Sequence, residues 1–589
     1  MTAPSLLSPS ISVDGAELSM DQLGRLTGAN VEAGLRIPAR AVLKFNDSGY
    51  VLSSTGSFSV GKAIKIKVGS GVVLFDGIIT GVGLEQTVGR LQLSIVADDP
   101  SVKLTMGNRI EAYVSMSVSD IVTKIAQRRG LTADVDSTPG LQPYTLQSDS
   151  DFDFLNQLAD RVGYDWWAVG KSLKFKKPTT PTPVKLTLTE DLTEFTVKAT
   201  GLHPSETTVS GWDPAQKRSI TGQATASSAA LKPDAALVTG YVSATQIAAT
   251  SPVVVASESP NTANEAQAMA AGMSQRWTTG AVTARGIGQV NGTILPGGSV
   301  KVDQAGPASG TYFVTFVEHV YTRYGFQTRF TAGERRPTSL VDTLSQAPNS
   351  SFNHLGLLIG VVTQNDNTTP GEVIGRKGDV KVKFVTAGDQ VESQWARVAT
   401  IGGGKTRGIT FMPEIDDEVI VGFEGGDPRR PIVLGGVYNG KDSATEYGVN
   451  GGKVASRRLT SRKGHVIEMK DGDSDADDMV KIDLKGGGSH MITLGTDAFD
   501  VVIPSGKEFS IMAGDKGISL KADGTLTLKA TKIVLDAQSD VEINGANVKA
   551  KAKAAFEASG AQVSVKGSGT GEVSASGPLT LKGAIVQIN

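Results

Sequence analysis

From about residue 460 to the end of the chain, pairs of aliphatic residues one position apart recur at steps of seven or eight. They are Ile518 and Leu520, Leu526 and Leu528, Ile533 and Leu535, and Val541 and Ile543. After a looser patch come Val563 and Val565, Val573, Leu579 and Leu581, and Val586 and Ile588. Each unit reads as a short strand followed by a turn rich in Gly, Asp, Asn or Ser. Strand alternation puts Ile518 and Leu520 on one face and Ser519 and Lys521 on the other. A lone strand cannot hide two aliphatic side chains, each worth about 1.5–3 kcal/mol when buried. The pattern therefore requires partners. A step near eight suits three chains wound around one axis, each forming one wall of a triangular prism. The expected fold of this part is a trimeric, triple-stranded β-helix, a needle with the paired aliphatics as its core. Its strands would hydrogen-bond to neighbouring chains along its length, leaving few exposed edges. A monomeric β-solenoid or a glycine-rich stalk is the alternative.

Composition agrees with a β-rich chain. Sixty-nine of 589 residues are glycine, well above the roughly 7% average. Aromatic residues make up only 6%, and the chain is rich in Thr and Val, which favours strands and turns. No Gly-X-Y period is present, which argues against a collagen-like chain. There are no cysteines, so disulfides, thiolate metal sites and thiol nucleophiles are excluded. Lys and Arg number 58 against 60 Asp and Glu, so no strong field draws the chain to nucleic acid or anionic lipid. The start, Met1–Gly15, has no basic segment followed by an apolar core, and no secretory signal is expected. No apolar run approaches the length of a membrane span.

Ahead of the repeat the sequence reads as two further regions. Residues 1–345 are mixed, mostly strand, with Val72–Ile79 and Arg90–Ala97 among the strands. Helices are expected over Ser117–Arg129, Asp151–Val162 and Asn264–Trp277, the first two amphipathic and ending at Gly130 and Gly163. The Ala/Ser/Thr-rich stretch at 220–260 reads as loops with short strands. A polar linker, 346–355, follows. Residues 356–442 hold five short runs, Leu357–Val362, Val380–Phe384, Trp395–Ala399, Glu418–Phe423 and Ile432–Tyr438, which suit a small Greek-key barrel of OB type. Residues 443–589 form the repeat.

The OB-like region carries a specific constellation: Trp395-Ala-Arg-Val-Ala399, Gly408-Ile-Thr-Phe-Met-Pro413, Glu414–Phe423 and Gly426-Asp-Pro-Arg-Arg-Pro-Ile-Val-Leu-Gly435. Pro413 with Asp416-Asp417 makes a turn. Val419, Val421 and Phe423 alternate into the barrel. Asp427-Pro428 opens a turn, and Arg429 or Arg430 is placed to pair with an acidic neighbour. This pattern closely resembles the OB domain of VgrG-type spikes and the base of phage tail spikes. The first region resembles the phage late-control, or hub, domain, through Phe75–Gly81, Asp149–Leu155, Val162–Trp166 and Gly211–Pro214. The resemblance covers nearly the whole chain in the order hub, OB, needle.

That resemblance implies a mainly β protein: a hub of β-barrels with a few helices, an OB barrel and a trimeric needle. It implies a structural homotrimer, the central spike of a contractile injection system. The hub would sit on inner-tube and baseplate proteins, and sheath contraction would drive the needle through a target membrane. A PAAR-like tip protein would cap the needle on Ile585, Val586, Ile588 and Asn589, and effector cargo is a possible passenger. The absent signal suits assembly in the bacterial cytoplasm, as part of an extracellular or cell-associated particle. Only a short stretch separates Gly440 from Leu459, so the lysozyme domain some phage relatives insert there is not expected, nor a toxin beyond Ile588-Asn589. The His-x-His pair with which some phage tips bind iron is absent as well. The late-control-like hub and short chain tilt the reading toward an extracellular or phage-like particle. A type VI secretion VgrG delivering effectors, a peptidoglycan-degrading spike enzyme and an adhesin are the alternatives.

Other chemistry finds little support. Gly402–Thr406 suggests a phosphate loop, but the motif needs glycine at Ala399; a turn between OB strands fits better. Asp471–Asp478 has the acidic spacing of a calcium loop but Ala476 at the glycine position and Ile482 at the final ligand. It reads as a solvated hairpin tip. His203, His319, His354, His465 and His490 show no metal-ligand spacing. Glu190 with Asp191, and Asp98 with Asp99, sit in expected turns. Of Trp166-Trp167, one is expected in the core and one at an interface. No catalytic residue, cofactor, metal or nucleic-acid partner is expected.

Overall fold

The computed structural model describes residues 9–588 except 70, 139, 201–203, 214–216, 227–230, 232, 233, 235–251, 256–259, 323, 324, 334–355, 367–377, 386–390, 444–447, 486 and 487. The expected linker 346–355, His203, His354, Pro214, Asn589 and most of 226–251 thus lie outside the described residues. The chain divides into two compact units, Met1–Ser443 and Ala444–Asn589.

The first unit is built on a 13-stranded sheet. The barrels expected of the hub take the form of this one sheet bearing two cores. Ile11, Leu43, Phe45, Ile66 and Ile95 centre one core, and Val300, Val302, Val314 and Phe330 the other. The strand Gly310–Thr322 joins the halves because it is long enough to pair with Leu26–Gly34, Gly325–Ala332 and Ser299–Asp303.

Besides a single turn, α1 (Met20–Gly24), three helices among the described residues pack on this framework: α2 (Val118–Arg128), α3 (Asp151–Val162) and α4 (Ala263–Gly280). Ser117 and Ser150 cap α2 and α3 by accepting from the amides of Asp120 and Asp153. Gly163 ends α3 in the left-handed region that glycine tolerates. It also meets Gly272 of α4 backbone to backbone; a β-carbon on Gly163 would lie 2.9 Å from the Gly272 Cα. Ile121, Val122, Ile125, Phe154, Leu155 and Leu158 fill the core around the buried Trp166, while Trp167 is partly exposed and lies against Gly297. The strand begun at Val72 continues to Thr87, beyond the expected end at Ile79, because Arg90–Asp98 stays paired with it.

The OB region closes as a barrel of five strands, β1 (Leu358–Gln364), β2 (Asp379–Phe384), β3 (Ala396–Val398), β4 (Glu418–Phe423) and β5 (Pro431–Gly436), in the order β1-β2-β3-β5-β4. Only the β3–β5 contact is parallel. Val362, Val380, Val382, Phe384, Val419, Val421 and Val433 fill it, and Tyr144 and Leu146 of the strand Gln142–Gln147 join the same core. Trp395 is buried and Phe423 partly so, in contact with Phe384. Pro413 precedes the turn in which Asp416 takes a positive φ of 73°.

In the second unit a short hairpin, Val449–Asn450 with Lys453–Val454, precedes an antiparallel meander, β6 (Ser456–Thr460), β7 (Val466–Lys470), β8 (Met479–Leu484), β9 (His490–Gly495) and β10 (Phe499–Val502). A second meander follows: β11 (Phe509–Ala513), β12 (Lys516–Leu520) and β13 (Leu526–Lys529). Asp471–Asp478 forms the tip between β7 and β8, as a solvated hairpin turn should. The expectation that strands pair with other chains all the way along is corrected here. Over Ser456–Lys529 they pair within the chain, because these runs are joined by hairpin turns.

Beyond Lys529 no strand pairing is found among the described residues, and no backbone-to-backbone hydrogen bond. The chain bends at Thr531, Gln538, Ala546, Lys553, Ala561, Ser568, Ser576 and Ala584, steps of seven or eight residues.

Candidate functional site, a continuous apolar ladder

Strand alternation in the second unit separates two chemistries. On one face Leu459 pairs with Ile467, Ile467 with Ile482, Ile482 with Ile492 and Ile492 with Val501. The next rung runs Met469, Val480, Leu494, Phe499. On the other face Glu468 accepts from Ser456 Oγ and Arg458 Nη2, both at 2.7 Å, and Asp483 pairs with Lys485 at 2.7 Å. The apolar face is exposed throughout. The second meander repeats the design: Phe509, Leu520 and Leu526 make one rung, and Ile511, Ile518 and Leu528 the next.

Past Lys529 the ladder continues without sheets. Ile533 and Leu535, Val541 and Ile543, Val563 and Val565, and Leu579 and Leu581 each fall between two bends, and Val586 and Ile588 after the last.

Within a single chain the residues of the expected needle core stand open. Ile518, Leu520, Leu526, Leu528, Ile533, Leu535, Val541, Ile543, Val563, Val565, Leu579 and Leu581 are all exposed. Leu535 is 66% exposed, Leu581 63% and Val565 93%. The physical reason is that each strand is one wall, with no second wall of its own chain facing it.

The bends also run unbroken through the looser patch, where Val548 with Ala550 and Phe556 with Ala558 occupy the same places. Sequence reading missed these two pairs because an alanine is their second member. It also missed the Leu459–Val501 face, whose signal was plain alternation. The tip residues Ile585, Val586 and Ile588 are exposed.

Such a surface has one chemical meaning. Contiguous apolar area this long is not stable in water, and a stretch with no strand pairing among its described residues can take strand partners from elsewhere. The arrangement can bind other β-structure. Among the described residues no group of His, Cys, Asp and Glu is placed to hold a metal ion.

In the first unit the OB turn is buried. Asp427 Oδ1 accepts from the Arg429 backbone amide at 2.9 Å and from Arg429 Nε at 3.1 Å; Asp427 Oδ2 accepts from Arg429 Nη2 at 2.8 Å. Arg429 Nη1 reaches Glu265 Oε1 of α4 at 2.7 Å. Burial works to raise the Asp427 carboxyl, but the Arg429 and Arg161 charges outweigh it and hold it below the usual range. Pro428 is buried within this turn. Arg430 donates to the Trp212 carbonyl and faces Glu424 at 3.7 Å. Sequence reading expected an acidic partner for these arginines but could not name Glu265, a residue far away in the chain.

Residues 5–322, more than half of the chain, match the family model of the Alg8 N-terminal domain. Residues 358–438 match the type VI secretion system/phage-baseplate injector OB domain. The chain is 34% identical over 106 residues to the type VI secretion system spike protein VgrG1c of Pseudomonas aeruginosa, covering 16% of this chain and 15% of that protein. It is 31% identical over 126 residues to VgrG5 of the same organism, covering 18% and 16%. These matches span only a small part of those relatives' length. A chain in the half-lidded structure of the Francisella PdpA-VgrG complex superposes with a TM-score of 0.51 at 10% identity, covering 85% of this chain and 89% of that one, a likeness of fold.

Proposed function

From the premise that this chain belongs to the Alg8 N-terminal domain family and is VgrG-like in its OB domain and fold, we propose that it is the structural, trimeric central spike of a contractile injection system. The observation that carries this is the ladder from Leu459 to Ile588, apolar, exposed and, past Lys529, without strand pairing among the described residues. Three copies around one axis cover all three walls at once, and each supplies the strand partners its neighbours need. The exposed Ile401, Ile409 and Phe411 of the OB domain add to the surface that copies would cover.

In this reading the first unit seats the spike on inner-tube and baseplate proteins, and the needle is driven through a target membrane by sheath contraction. A PAAR-like tip protein sits on Ile585, Val586, Ile588 and Asn589, and effectors travel with the spike. The protein is assembled in the bacterial cytoplasm and works as a part of an injection particle, not as an enzyme. The identities to type VI spike proteins favour effector delivery as a second reading of the same structural role.

Light scattering after size exclusion tests the core of the proposal. One chain is 61.3 kDa, so three give about 184 kDa by multiplication. A species of that mass that persists in mild detergent is expected; a stable monomer would sink the three-copy spike. Deleting residues 585–589 should abolish tip-protein binding, and unchanged binding would remove that assignment.

A further inference from the structure

The OB barrel and the N-terminal sheet are far apart in sequence yet lie in one compact unit. Beside the apolar contact that Tyr144 and Leu146 make with the barrel core, a charged and dry cluster joins them. Arg429 is 3% exposed and its partners Asp427 and Glu265 scarcely more. Its Nε and Nη2 grip Asp427, while Nη1 donates to Glu265 at 2.7 Å and to Gln142 Oε1 at 3.4 Å. Three segments therefore meet on one guanidinium: the OB turn, α4 and the Gln142–Gln147 strand. Arg161 of α3 adds a second cation to Asp427's field, so two cations and two anions share the cluster.

The helix that carries Arg161 is itself anchored on its next residue back. Asp160 accepts from Arg36 Nη1 and from Arg276 Nη1 of α4, each at 2.7 Å. Arg36 also donates to Asp165 at 3.1 Å and to the Tyr164 carbonyl at 2.8 Å. Arg36 lies in the turn between the strands Leu26–Gly34 and Ile37–Asn46 of the large sheet. The last turn of α3 is thus tied at Asp160 to the large sheet and to α4, and at Arg161 it faces the OB turn. The Gly163–Gly272 contact locks α3 against α4 with no side chain between them.

We propose that the Asp427–Arg429 turn is a coupling plug, which seats the OB barrel on the α3–α4 helix pair and passes orientation and thrust between the large sheet and the barrel. The word thrust rests on the spike reading; the coupling does not. Arginine suits this place because one planar fork serves two carboxylates and an amide oxygen at once. A buried cluster of this kind gives little net stability but a defined geometry, since removing one member leaves its partners charged and dry.

Hydrogen exchange of the full chain, followed by mass spectrometry, tests this. Arg429→Met should speed exchange about tenfold or more in 142–147 and 427–433. The barrel strand Asp379–Phe384 and the sheet strand Ile37–Asn46 should keep their protection. Arg429→Lys, which keeps the charge but not the fork, should give the same pattern more weakly, and it decides the matter should Arg429→Met not fold. Unchanged exchange at the two junction segments would overturn the coupling. So would an equal loss in all four segments, which would make Arg429 a general stabiliser. The mass of the wild-type sample tests the spike reading separately: a monomer with the junction pattern would end that reading and leave this one standing.

Discussion

The OB barrel and the ladder are written in the same alphabet and end in opposite states. In the barrel, Val419 and Val421 alternate along β4 and are 0% exposed, because β1 and β5 flank them and the far wall closes over them. In the ladder, Ile533 and Leu535, Val541 and Ile543, and Leu579 and Leu581 alternate in the same way and stand open to water. The difference is in the turns. Barrel turns bring the chain back beside itself, and those after Lys529 send it onward by seven or eight residues. Alternation tells which face must be buried; connectivity tells whether the chain can bury it alone.

The largest effect that could break this contrast is removal of the second unit. A chain ending at Ser443 should remain folded, with the near-ultraviolet signal of the buried Trp166 kept, and its mass should drop from three copies to one. If it still assembled as a trimer, the ladder would not be the principal interface. If it lost its fold, the first unit would not be self-sufficient.

The next effect is a charge placed on the ladder. Leu535→Asp or Ile543→Asp costs nothing in a lone chain where these side chains are exposed. Around a shared axis it gathers three carboxylates in an apolar core, at a cost of several kcal/mol for each unpaired charge. Loss of detergent-resistant trimer is the expected outcome on a denaturing gel run without boiling. Full resistance in both variants would mean that these faces point to water.

A quantitative version compares two aromatics. Trp166→Ala should destabilise the first unit by about 3–5 kcal/mol, the usual cost of emptying a buried aromatic site. Phe556→Ala should cost a comparable amount in the assembled protein, although Phe556 is exposed in one chain. Two resolved thermal transitions would show this, with each substitution moving only its own. A null result for Phe556→Ala would place its ring outside the needle core.

Much of this was legible locally. Ser117 and Gly163 marked helix ends through cap chemistry that acts within a turn. The run Glu418–Phe423 was read to the residue as a strand because its aliphatic and aromatic positions sit between turn residues. The ladder was legible as a period, though not where Ala550 and Ala558 stand, since alanine carries too little apolar area to register. Two matters were out of reach. Whether Phe509–Lys529 pairs within or between chains depends on turn geometry that alternation does not encode. That Arg429 meets Glu265 depends on a tertiary fold, across a separation over which no local rule operates.

The smallest effect is a titration confined to the first unit. Burial pushes the Asp99 carboxyl up to about 6, even with the Ser101 hydroxyl and the Ala39 and Ser101 amides donating to it. Burial pushes the His319 imidazole, which shares a hydrogen bond with Thr328, down to about 4. The two act in opposite directions. Folded Asp99 holds its proton where the unfolded group has lost it, so its contribution is full below the unfolded value and is lost as pH rises through about 6. Folded His319 resists a proton that the unfolded group accepts, so its contribution is full above the unfolded value and is lost as pH falls toward 4. Between about pH 5 and 6 the slopes of these two groups oppose one another, and the unfolding midpoint of the first unit should be nearly level. His319→Gln should tilt it so that acid stabilises, and Asp99→Asn so that acid destabilises. Carboxylates held low by arginines, Asp151, Asp160 and Asp427 among them, lose their contribution as pH falls below about 5 and so act under this window. A wild-type midpoint that already slopes steeply across it, with neither substitution changing the slope, would show that these two groups are not as dry as their packing indicates.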